Sequence, residues 1–397
     1  MYLSLRPRQS THANSVSLKV YVAVKNKCGL YIHVPFCHSK CAYCDFYSLP
    51  RQGDVSEFVE ALHKEFTKRN EEAGCPEYHT IYIGGGTPSS LSIKLLDDLM
   101  RWLPVDNAVE ITMEINPEDA TPEFAQWIVQ SPVNRVSMGV QSLNDGELAF
   151  VGRRHSASQA IEAYFNLRNA GVEKISLDLI YGLPGQTIES WMRSLAGVLE
   201  LEPDHVSAYS LMVEPGTRLW AMMKTGKFVA TDDSDVEKMY FELCSLMGEY
   251  GFEHYEISNF AKPGRRSVHN SSYWNLTPYI GIGPGAHSYF NEMRSCNPPN
   301  LKKYLANPTD ANIVENESAT ERVNDYIMIR LRTAEGLSLN EFGRMYGHKV
   351  RENVEIAAKS HLLKGNLVRQ GNNLRIPERK FLISDSVISD LFLEEAD

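Results

Sequence analysis

The sequence lacks an apolar run long enough to span a lipid bilayer, which takes about 20 residues in a helix. No secretory signal peptide stands at its amino end. It also lacks an excess of positive charge. Forty basic and 50 acidic residues give a net charge of −10, which repels phosphate backbones. We therefore expect no membrane span and no nucleic-acid partner.

Acidic residues are absent until Asp45. The cations of residues 1–27 are Arg6, Arg8, Lys19, Lys25 and Lys27. A basic, acid-poor start is typical of organelle transit peptides, but the helical amphipathicity that these need is weak here. We predict that residues 1–27 are a disordered extension or an artefact of start-site assignment. A transit segment is the alternative.

The cysteine content does not fit a disulfide-bonded secreted scaffold. The chain has seven cysteines, an odd number, and three of them crowd into eight residues. A secreted disulfide scaffold would be shorter, with its cysteines spread more evenly. Clustered thiols in a chain of 397 residues instead suggest a metal site in a reducing compartment. We therefore expect a cytoplasmic protein.

Short apolar runs rich in β-branched residues alternate with segments long enough for a helix. The predicted strands are Gly29–Val34, Thr80–Ile83, Val109–Ile115, Arg135–Val140, Lys174–Ile180 and His205–Leu211. Such alternation predicts parallel strands joined by right-handed crossovers. The fold class is therefore α/β, either a partial (β/α)6 barrel or a doubly wound open sheet.

The pattern changes after about residue 300. Three helices are predicted: one at Thr320–Leu331, one that begins after a capping box of Ser338 and Glu341, and one at Val354–Leu363. A hairpin of Leu367–Arg369 and Leu374–Ile376 is predicted to follow them. This order predicts a small α+β winged-helix-like domain at 301–397, following a main domain at 28–300.

Cys37, Cys41 and Cys44 form a CxxxCxxC loop after the first predicted strand. Thiolates suit iron or zinc, but a structural zinc site takes four ligands, so His38 or Asp45 would have to complete it. Three thiolates on a [4Fe–4S] cubane leave one iron open. S-adenosylmethionine (SAM) can chelate that iron, and one electron can then cleave its sulfonium. We predict such a cluster, with zinc or a chance grouping as alternatives.

Four segments together resemble a known family: Gly29–Cys37, Gly84–Pro88, Gly139–Gln141 and Asp178–Pro184. They are similar to the oxygen-independent coproporphyrinogen III oxidase-like family of radical SAM proteins. The resemblance spans nearly all of residues 28–397 and implies a partial (β/α)6 radical SAM barrel with the family's C-terminal domain. Within the family, the HemW-type heme chaperones are more similar than the oxidase. The oxidase typically has a further cysteine where Phe46 stands, and a long amino-terminal extension that is missing here.

The resemblance also implies where SAM lies. Its expected contacts are Tyr31, Tyr43, Gly86, Thr87, Glu114, Gln141, Arg153 and Asp178. Glycines at 84–86 let backbone approach a ligand without a Cβ clash. Glu114 and Gln141 are expected at the ribose and polar part of SAM, and Arg153 and Asp178 near its carboxylate and ribose. There are two alternatives. In the first, the match is offset by one residue, so that Arg154 takes the role of Arg153. In the second, Glu114 and Asp178 form a buried network with Arg153.

His269 begins the motif His269–Trp274, which resembles the HNxxYW motif associated with heme binding in HemW-type proteins. Histidine is a common axial ligand of heme iron, and aromatic rings can stack on a porphyrin. The alternative is that His269 and Trp274 only pack a segment across the open side of the barrel. His287 and Cys296 are weaker axial candidates.

The resemblance therefore implies a heme chaperone that binds a [4Fe–4S] cluster, SAM and heme and passes heme to an unknown acceptor protein. An electron donor such as a flavodoxin or ferredoxin is expected. No catalytic residue is assigned. The alternative is oxygen-independent coproporphyrinogen III oxidase, which performs a radical oxidative decarboxylation, or another radical SAM enzyme.

Overall fold

A computed structural model describes residues 27–50 and 55–394, so nearly all of the predicted extension at 1–27 lies outside the described residues. The strands are β1 (Lys27–Val34), β2 (Phe36–Cys37), β3 (Leu49–Pro50), β4 (Glu77–Gly85), β5 (Glu110–Ile115), β6 (Arg135–Gln141), β7 (Ile175–Tyr181), β8 (His205–Ser210), β9 (Glu253–Glu256), β10 (Asn259–Ala261), β11 (Tyr279–Ile282), β12 (His287–Phe290), β13 (Met293–Cys296), β14 (Ile313–Val314), β15 (Leu337–Ser338), β16 (Val368–Gln370) and β17 (Asn373–Arg375).

The helices alternate with these strands. They are α1 (Ser56–Glu72), α2 (Ile93–Met100), α3 (Pro122–Gln130), α4 (Asp145–Val151), α5 (Ala157–Ala170), α6 (Ile188–Glu200), α7 (Arg218–Lys224), α8 (Asp233–Glu249), α9 (Val268–Trp274), α10 (Leu301–Ala306), α11 (Ala319–Leu331), α12 (Leu339–Tyr346), α13 (His348–Lys364) and α14 (Ser384–Ser389). Within the described ranges, none of them is long and apolar enough to cross a membrane.

The main sheet has the strand order β14-β13-β12-β11-β1-β4-β5-β6-β7-β8-β10-β9. All six predicted parallel strands are confirmed, and they are neighbours in chain order from β1 to β8. Because every crossover steps in the same direction and right-handed crossovers are the rule, the connecting helices share one face of the sheet. This arrangement is a partial barrel and not the doubly wound alternative.

Beyond the six predicted strands, the sheet is extended at both edges. β11 pairs in parallel with the outer side of β1, and β12, β13 and β14 continue from it as antiparallel strands. β10 and β9 extend the other edge in the same antiparallel way. The sequence pattern missed these strands because none exceeds four residues, too short for a periodic signal.

Side chains alternate along each central strand between the helix layer and the barrel interior. Met113, Met138 and Leu177 are fully buried in the hydrophobic core. Glu114 and Asp178, each the next residue along its strand, line a cavity on the other face. The barrel interior is therefore polar, which a purely structural parallel sheet would avoid.

The C-terminal segment forms the expected small α+β unit. β15, β17 and β16 make a three-stranded sheet beside α11, α12 and α13. At the start of α12, Ser338 accepts a hydrogen bond from the Glu341 N–H, which is one bond of the predicted capping box. Gly371, with φ of 59°, makes the turn of the β16–β17 hairpin. The domain boundaries at 28–300 and 301–397 stay predictions.

The buried carboxylate of Glu65 joins α1 to the β11 edge of the sheet. Glu65 of α1 accepts hydrogen bonds from the Gly283 N–H (2.8 Å), Asn297 Nδ2 (2.7 Å) and the Tyr304 hydroxyl (2.7 Å). Its side chain is 1% exposed, and burial raises its pKa while the three donors lower it. Glu65 thus ties the end of β11, the end of β13 and α10 to α1.

Replacing Glu65 with alanine leaves three buried donors without their acceptor. We expect Glu65→Ala to lower the free energy of unfolding by about 3 kcal/mol, since buried groups that lose a charged partner keep their desolvation cost. Urea unfolding followed by circular dichroism measures the change. Glu60→Ala, on the exposed face of the same helix, is the matched control. Equal stability of the two variants would show that Glu65 does not hold this edge.

Candidate functional site

A cavity of about 360 Å³ lies at the carboxyl ends of the parallel strands. Such edges are where parallel α/β folds build their sites. Most of the predicted site residues line it: Cys37, Cys41, Tyr43, Cys44, Gly86, Thr87, Glu114, Gln141, Arg153 and Asp178. Tyr31 and His269 do not. The structure thus brings the cysteine loop and the predicted SAM contacts together around one space.

The cysteine loop is held in place by main-chain hydrogen bonds to three other segments. The Ala42 N–H donates to the Val151 carbonyl at the end of α4, and the Ala42 carbonyl accepts from the Leu219 N–H of α7, both at 2.8 Å. On the other side, the Thr87 N–H donates to the Phe36 carbonyl at 2.7 Å. The positions of the thiols are therefore set by backbone and not by side-chain packing alone.

The glycine run after β4 is required by this close packing. A Cβ on Gly86 would lie 2.7 Å from the Phe36 carbonyl oxygen, and one on Gly84 would lie 2.8 Å from the carboxyl carbon of Glu114. Gly85 has a φ of +106°, which side chains rarely adopt. The run lets the end of β4 approach the cysteine loop and Glu114, in addition to any approach to a ligand.

The thiols are spread around the cavity and not gathered at one point. In the portion of the chain that is described, one trio of metal-ligating side chains has all its ligand atoms within 4.8 Å of one another, and it lies elsewhere. The loop is therefore wider than a single ion needs, whereas a cubane binds each thiolate at a different iron. His38 is hydrogen-bonded to Asp119 at 2.9 Å, which argues against it as a fourth zinc ligand.

Burial disfavours the thiolate form of Cys37 and Cys44 in the absence of a metal. Desolvation raises the pKa of Cys37, and it raises the pKa of Cys44 to about 11. Two donors lie beside the sulfurs: the Thr87 hydroxyl is 3.4 Å from Cys37 Sγ, and Arg153 Nη1 is 3.6 Å from Cys41 Sγ. Loading a metal here therefore means exchanging protons for a cation. The donor set of three soft thiolates fits an iron–sulfur cluster.

Arg153, and not Arg154, faces the cavity. Arg153 lines it, whereas Arg154 is exposed to solvent, which excludes the slip by one position. Arg153 Nη2 donates to Asn116 Oδ1 at 2.7 Å and to the Gly139 carbonyl. Its buried Nε has no partner among the described residues. The guanidinium is thus fixed at one edge and contributes a positive charge to the cavity wall.

Two carboxylates on β5 and β7, the strands on either side of β6, line the cavity wall, and in the described part of the chain neither is within 4.0 Å of a cationic nitrogen. Glu114 accepts from the Tyr82 hydroxyl (2.8 Å) and the Gly85 N–H (3.0 Å), and Asp178 accepts from the Ser137 hydroxyl (3.1 Å). Burial raises the pKa of Glu114 to about 7 and also raises that of Asp178. The hydrogen bonds of Arg153 go to other groups, so the alternative of a buried network with Arg153 is not favoured. Carboxylates held this way in a cleft mark a functional site.

Gln141 reaches the cavity through a distortion of β6. The register with β7 shifts between Gly139 and Gln141, and Gln141 has a φ of +66° in the left-handed region. Its Nε2 lies 2.8 Å from where a Cβ on Gly139 would stand. Bulges and positive φ values of this kind store strain at functional sites and re-aim a side chain.

Asn116 is a cavity residue that the sequence analysis did not assign. Its Nδ2 donates to Thr87 Oγ1 at 3.1 Å, while its Oδ1 accepts from Arg153. It thereby links the cysteine loop to the guanidinium. Its position directly after the third predicted strand, ahead of a proline, was the signal available in the sequence.

His269 lies at the opposite end of the barrel. It is fully buried, with Nδ1 bonded to the Thr80 hydroxyl and Nε2 to the Tyr273 hydroxyl, both at 2.8 Å. Its N–H and that of Val268 donate to Glu110, which holds the start of α9. With both ring nitrogens engaged, the geometry favours the packing interpretation, and the role of His269 as a heme ligand stays a prediction.

Tyr31 also lies outside the cavity. Its hydroxyl is bonded to His33 Nδ1 at 3.0 Å, and its ring packs near that of Tyr82, with centroids 6.2 Å apart. It therefore supports the inner wall of the barrel beneath the cysteine loop. A contact between Tyr31 and SAM stays a prediction.

Comparison with known proteins agrees with this geometry. Residues 31–196 match the Radical SAM superfamily. The chain is 37% identical over 331 residues to the heme chaperone HemW of Bacillus subtilis, covering 81% of this chain and 87% of that protein. It is 36% identical over 271 residues to a mitochondrial radical S-adenosyl methionine domain-containing protein 1 of Bos taurus, covering 66% and 61%. Coproporphyrinogen III oxidase (HemN) from Escherichia coli has a similar structure, with a TM-score of 0.79, 20% identity and coverage of 93% and 90%. At that identity the likeness shows the fold alone.

The burial of His269 predicts a pH dependence of stability. Desolvation lowers the pKa of His269 to about 3, whereas an unfolded chain has about 6.5. Between these values the unfolded state binds the extra proton, so stability falls as the pH drops below about 6.5. At pH 5.5 the loss from this residue is about 1.4 kcal/mol.

Urea unfolding at pH 7.5 and pH 5.5 measures this loss against a His269→Gln variant, which has no imidazole to protonate. The variant should lose less stability between the two pH values than the unmodified protein, by about 1.4 kcal/mol. An identical decline in both proteins would contradict the neutral, buried state of His269.

Proposed function

Because the chain belongs to the HemW family of radical SAM proteins, we propose that it is a heme chaperone that binds heme and passes it to an acceptor protein. An apolar rim at the mouth of the cavity is the observation that supports a heme-binding surface there. Phe46, Tyr209 and Met212 all line the cavity and are all exposed, Phe46 by 68%. Exposed aromatic and thioether side chains of this kind mark a binding surface and suit a flat apolar ring system.

The cysteine loop is the proposed holder of the cluster. Cys37, Cys41 and Cys44 would each bind one iron, leaving the fourth iron open toward the cavity. When bound, the cluster supplies one electron for cleavage of the SAM sulfonium. The surrounding chain excludes water from one side, because Cys37 is buried and the loop is tied by backbone to α4 and α7.

The polar cavity wall is the proposed SAM site. Arg153, fixed by Asn116, lines the cavity and would pair with the SAM carboxylate through its guanidinium. Glu114 and Asp178 would accept hydrogen bonds from ribose hydroxyls. Gln141 offers an amide that can both donate and accept. Tyr43, Gly86 and Thr87 complete the wall next to the cysteines.

The oxidase function is less well supported. The residue two positions after the third cysteine is Phe46, where the resemblance associates the oxidase with a further cysteine. In the structure Phe46 is exposed at the cavity mouth and offers no ligand atom to iron. An apolar side chain at this point favours contact with a porphyrin face over an additional metal ligand.

The acceptor and the electron donor are proposed by chemical class. Lys40 is an exposed cation within the cysteine loop, and the exposed Arg154 follows Arg153, whose Nη1 is 3.6 Å from Cys41 Sγ. They suit an acidic redox partner such as a flavodoxin or ferredoxin. All seven cysteines have free thiols, which supports a reducing compartment, and we propose the cytoplasm.

Heme titration of the cluster-loaded protein tests the chaperone function. We expect a saturable shift of the Soret band and about tenfold weaker binding for Phe46→Ser, because the change removes about 1–2 kcal/mol of apolar contact. Phe165→Ser, at an exposed phenylalanine on α5, is the matched control and should bind like the unmodified protein. Absence of a saturable shift in the unmodified protein would sink the proposal.

An activity assay on the same cluster-loaded protein distinguishes the oxidase alternative from the chaperone proposal. The protein is incubated under anaerobic conditions with coproporphyrinogen III, SAM and a reductant. We expect no sustained formation of protoporphyrinogen. Steady turnover would replace the chaperone proposal with the oxidase.

A further inference from the structure

Three metal-ligating side chains converge on the antiparallel extension of the sheet. His287 of β12 stands directly opposite Cys296 of β13, and Cys296 stands opposite Ile313 of β14. Glu315 follows Ile313 by two residues. Residues paired across antiparallel strands project from the same face, and the bond from the Glu315 N–H to the Arg294 carbonyl continues the pairing one residue beyond β14, so Glu315 lies on the same face as Ile313. The strand register therefore brings an imidazole, a thiol and a carboxylate to one face.

Their ligand atoms are close enough to share one ion. One nitrogen of His287, Cys296 Sγ and an oxygen of Glu315 all lie within 4.8 Å of one another. His287 Nδ1 is 3.9 Å from Glu315 Oε1. No other trio of this kind occurs in residues 27–50 and 55–394.

The three positions are held by the ladder and remain open to solvent. The Glu315 N–H donates to the Arg294 carbonyl at 2.9 Å, and the Asn297 N–H donates to the Ala286 carbonyl at 2.8 Å, on either side of the trio. The side chains of His287 and Glu315 are 49% and 40% exposed. An ion can therefore reach a site whose backbone is already in place.

The local charge does not oppose a cation. Arg294, the basic residue of β13, makes ion pairs with Glu317 (2.7 Å) and Asp325 (2.6 Å), which compensate its charge. Glu315 supplies a negative charge at the trio itself. None of the three ligands lines the cavity of the cysteine loop, so this is a separate place on the molecule.

We propose that His287, Cys296 and Glu315 form a binding site for one divalent metal ion of the zinc class. A nitrogen, a sulfur and an oxygen ligand suit zinc or cobalt and exclude magnesium and calcium, which take oxygen ligands. Three protein ligands leave the fourth tetrahedral position to water. A heme iron has one axial position on each face of its ring. Three ligands that converge from one side therefore suit an ion without a porphyrin better than a heme iron.

The test uses the full chain with its iron–sulfur cluster loaded, so that the thiolates of the loop are occupied. Zinc is added by equilibrium dialysis, and zinc and iron are counted separately by elemental analysis. We expect one zinc per chain. Cys296→Ser and His287→Ala should each weaken zinc binding by at least about tenfold while keeping the full iron content. Cys75→Ser, at an exposed thiol elsewhere, is the control and should bind zinc like the unmodified protein.

Cobalt supplies a second readout in the unmodified protein. Binding of Co²⁺ should give a thiolate-to-metal charge-transfer band, and zinc should protect Cys296 from alkylation as followed by mass spectrometry. These measurements hold even where a variant fails to fold. Zinc content equal to that of Cys296→Ser, together with unprotected Cys296, would overturn the site. Loss of heme binding in Cys296→Ser without any zinc binding by the unmodified protein would overturn it in favour of a heme ligand.

Discussion

The site depends on the backbone hydrogen bonds that hold the cysteine loop to the carboxyl edge of the barrel. After Cys37, which ends β2, the loop has no helix or strand of its own to fix Cys41 and Cys44. Here Ala42 is bonded on both its N–H and its carbonyl, and Gly86 and Thr87 are bonded to the end of β1 and to β2. These contacts join the loop to α4, to α7 and to the end of β4, so elements far apart in the sequence together position the thiols. The glycine at 86 is needed for the same reason, since a Cβ there would strike the Phe36 carbonyl.

The two ends of the barrel interior differ: the amino end is closed by packed side chains, and the carboxyl end contains the polar cavity. At the amino end, α9 closes the barrel, Glu110 accepts from the first N–H groups of that helix, and His269 joins Thr80 to Tyr273. At the carboxyl end, Glu114 and Asp178 are desolvated and accept hydrogen bonds from uncharged donors, and Gln141 is held at a positive φ. Each of these features costs stability, which is the usual cost of a prepared binding site. The closed end stabilises the fold and the open end carries the chemistry.

The sequence predicted the central strands well, because each is a continuous apolar run separated from the next by room for a helix. It missed β11 and the strands beyond it, whose runs of four residues or fewer depend on pairing with β1 for their existence. The grouping of the three cysteines with most of the expected SAM contacts around one cavity agrees with the spacing and the resemblance, and their roles as ligands stay predictions. Asn116 and the bulge at Gln141 depend on contacts between strands, which no local pattern encodes. The motif that begins at His269 did not show at which end of the barrel its ring would lie, and a heme role for His269 stays a prediction. The proximity of His287, Cys296 and Glu315 could not be predicted from the sequence pattern either, because it depends on the register of three strands.

The central claim is that three thiolates hold a cubane whose fourth iron is open to a SAM molecule in the cavity. Electron paramagnetic resonance of the reduced, reconstituted protein tests it most directly, recorded with and without SAM. The account predicts the signal of a reduced [4Fe–4S] cluster that changes when SAM is added, and loss of both iron and signal in Cys41→Ala. An identical spectrum with and without SAM, or a Cys41→Ala protein that keeps its full iron and sulfide, would contradict it.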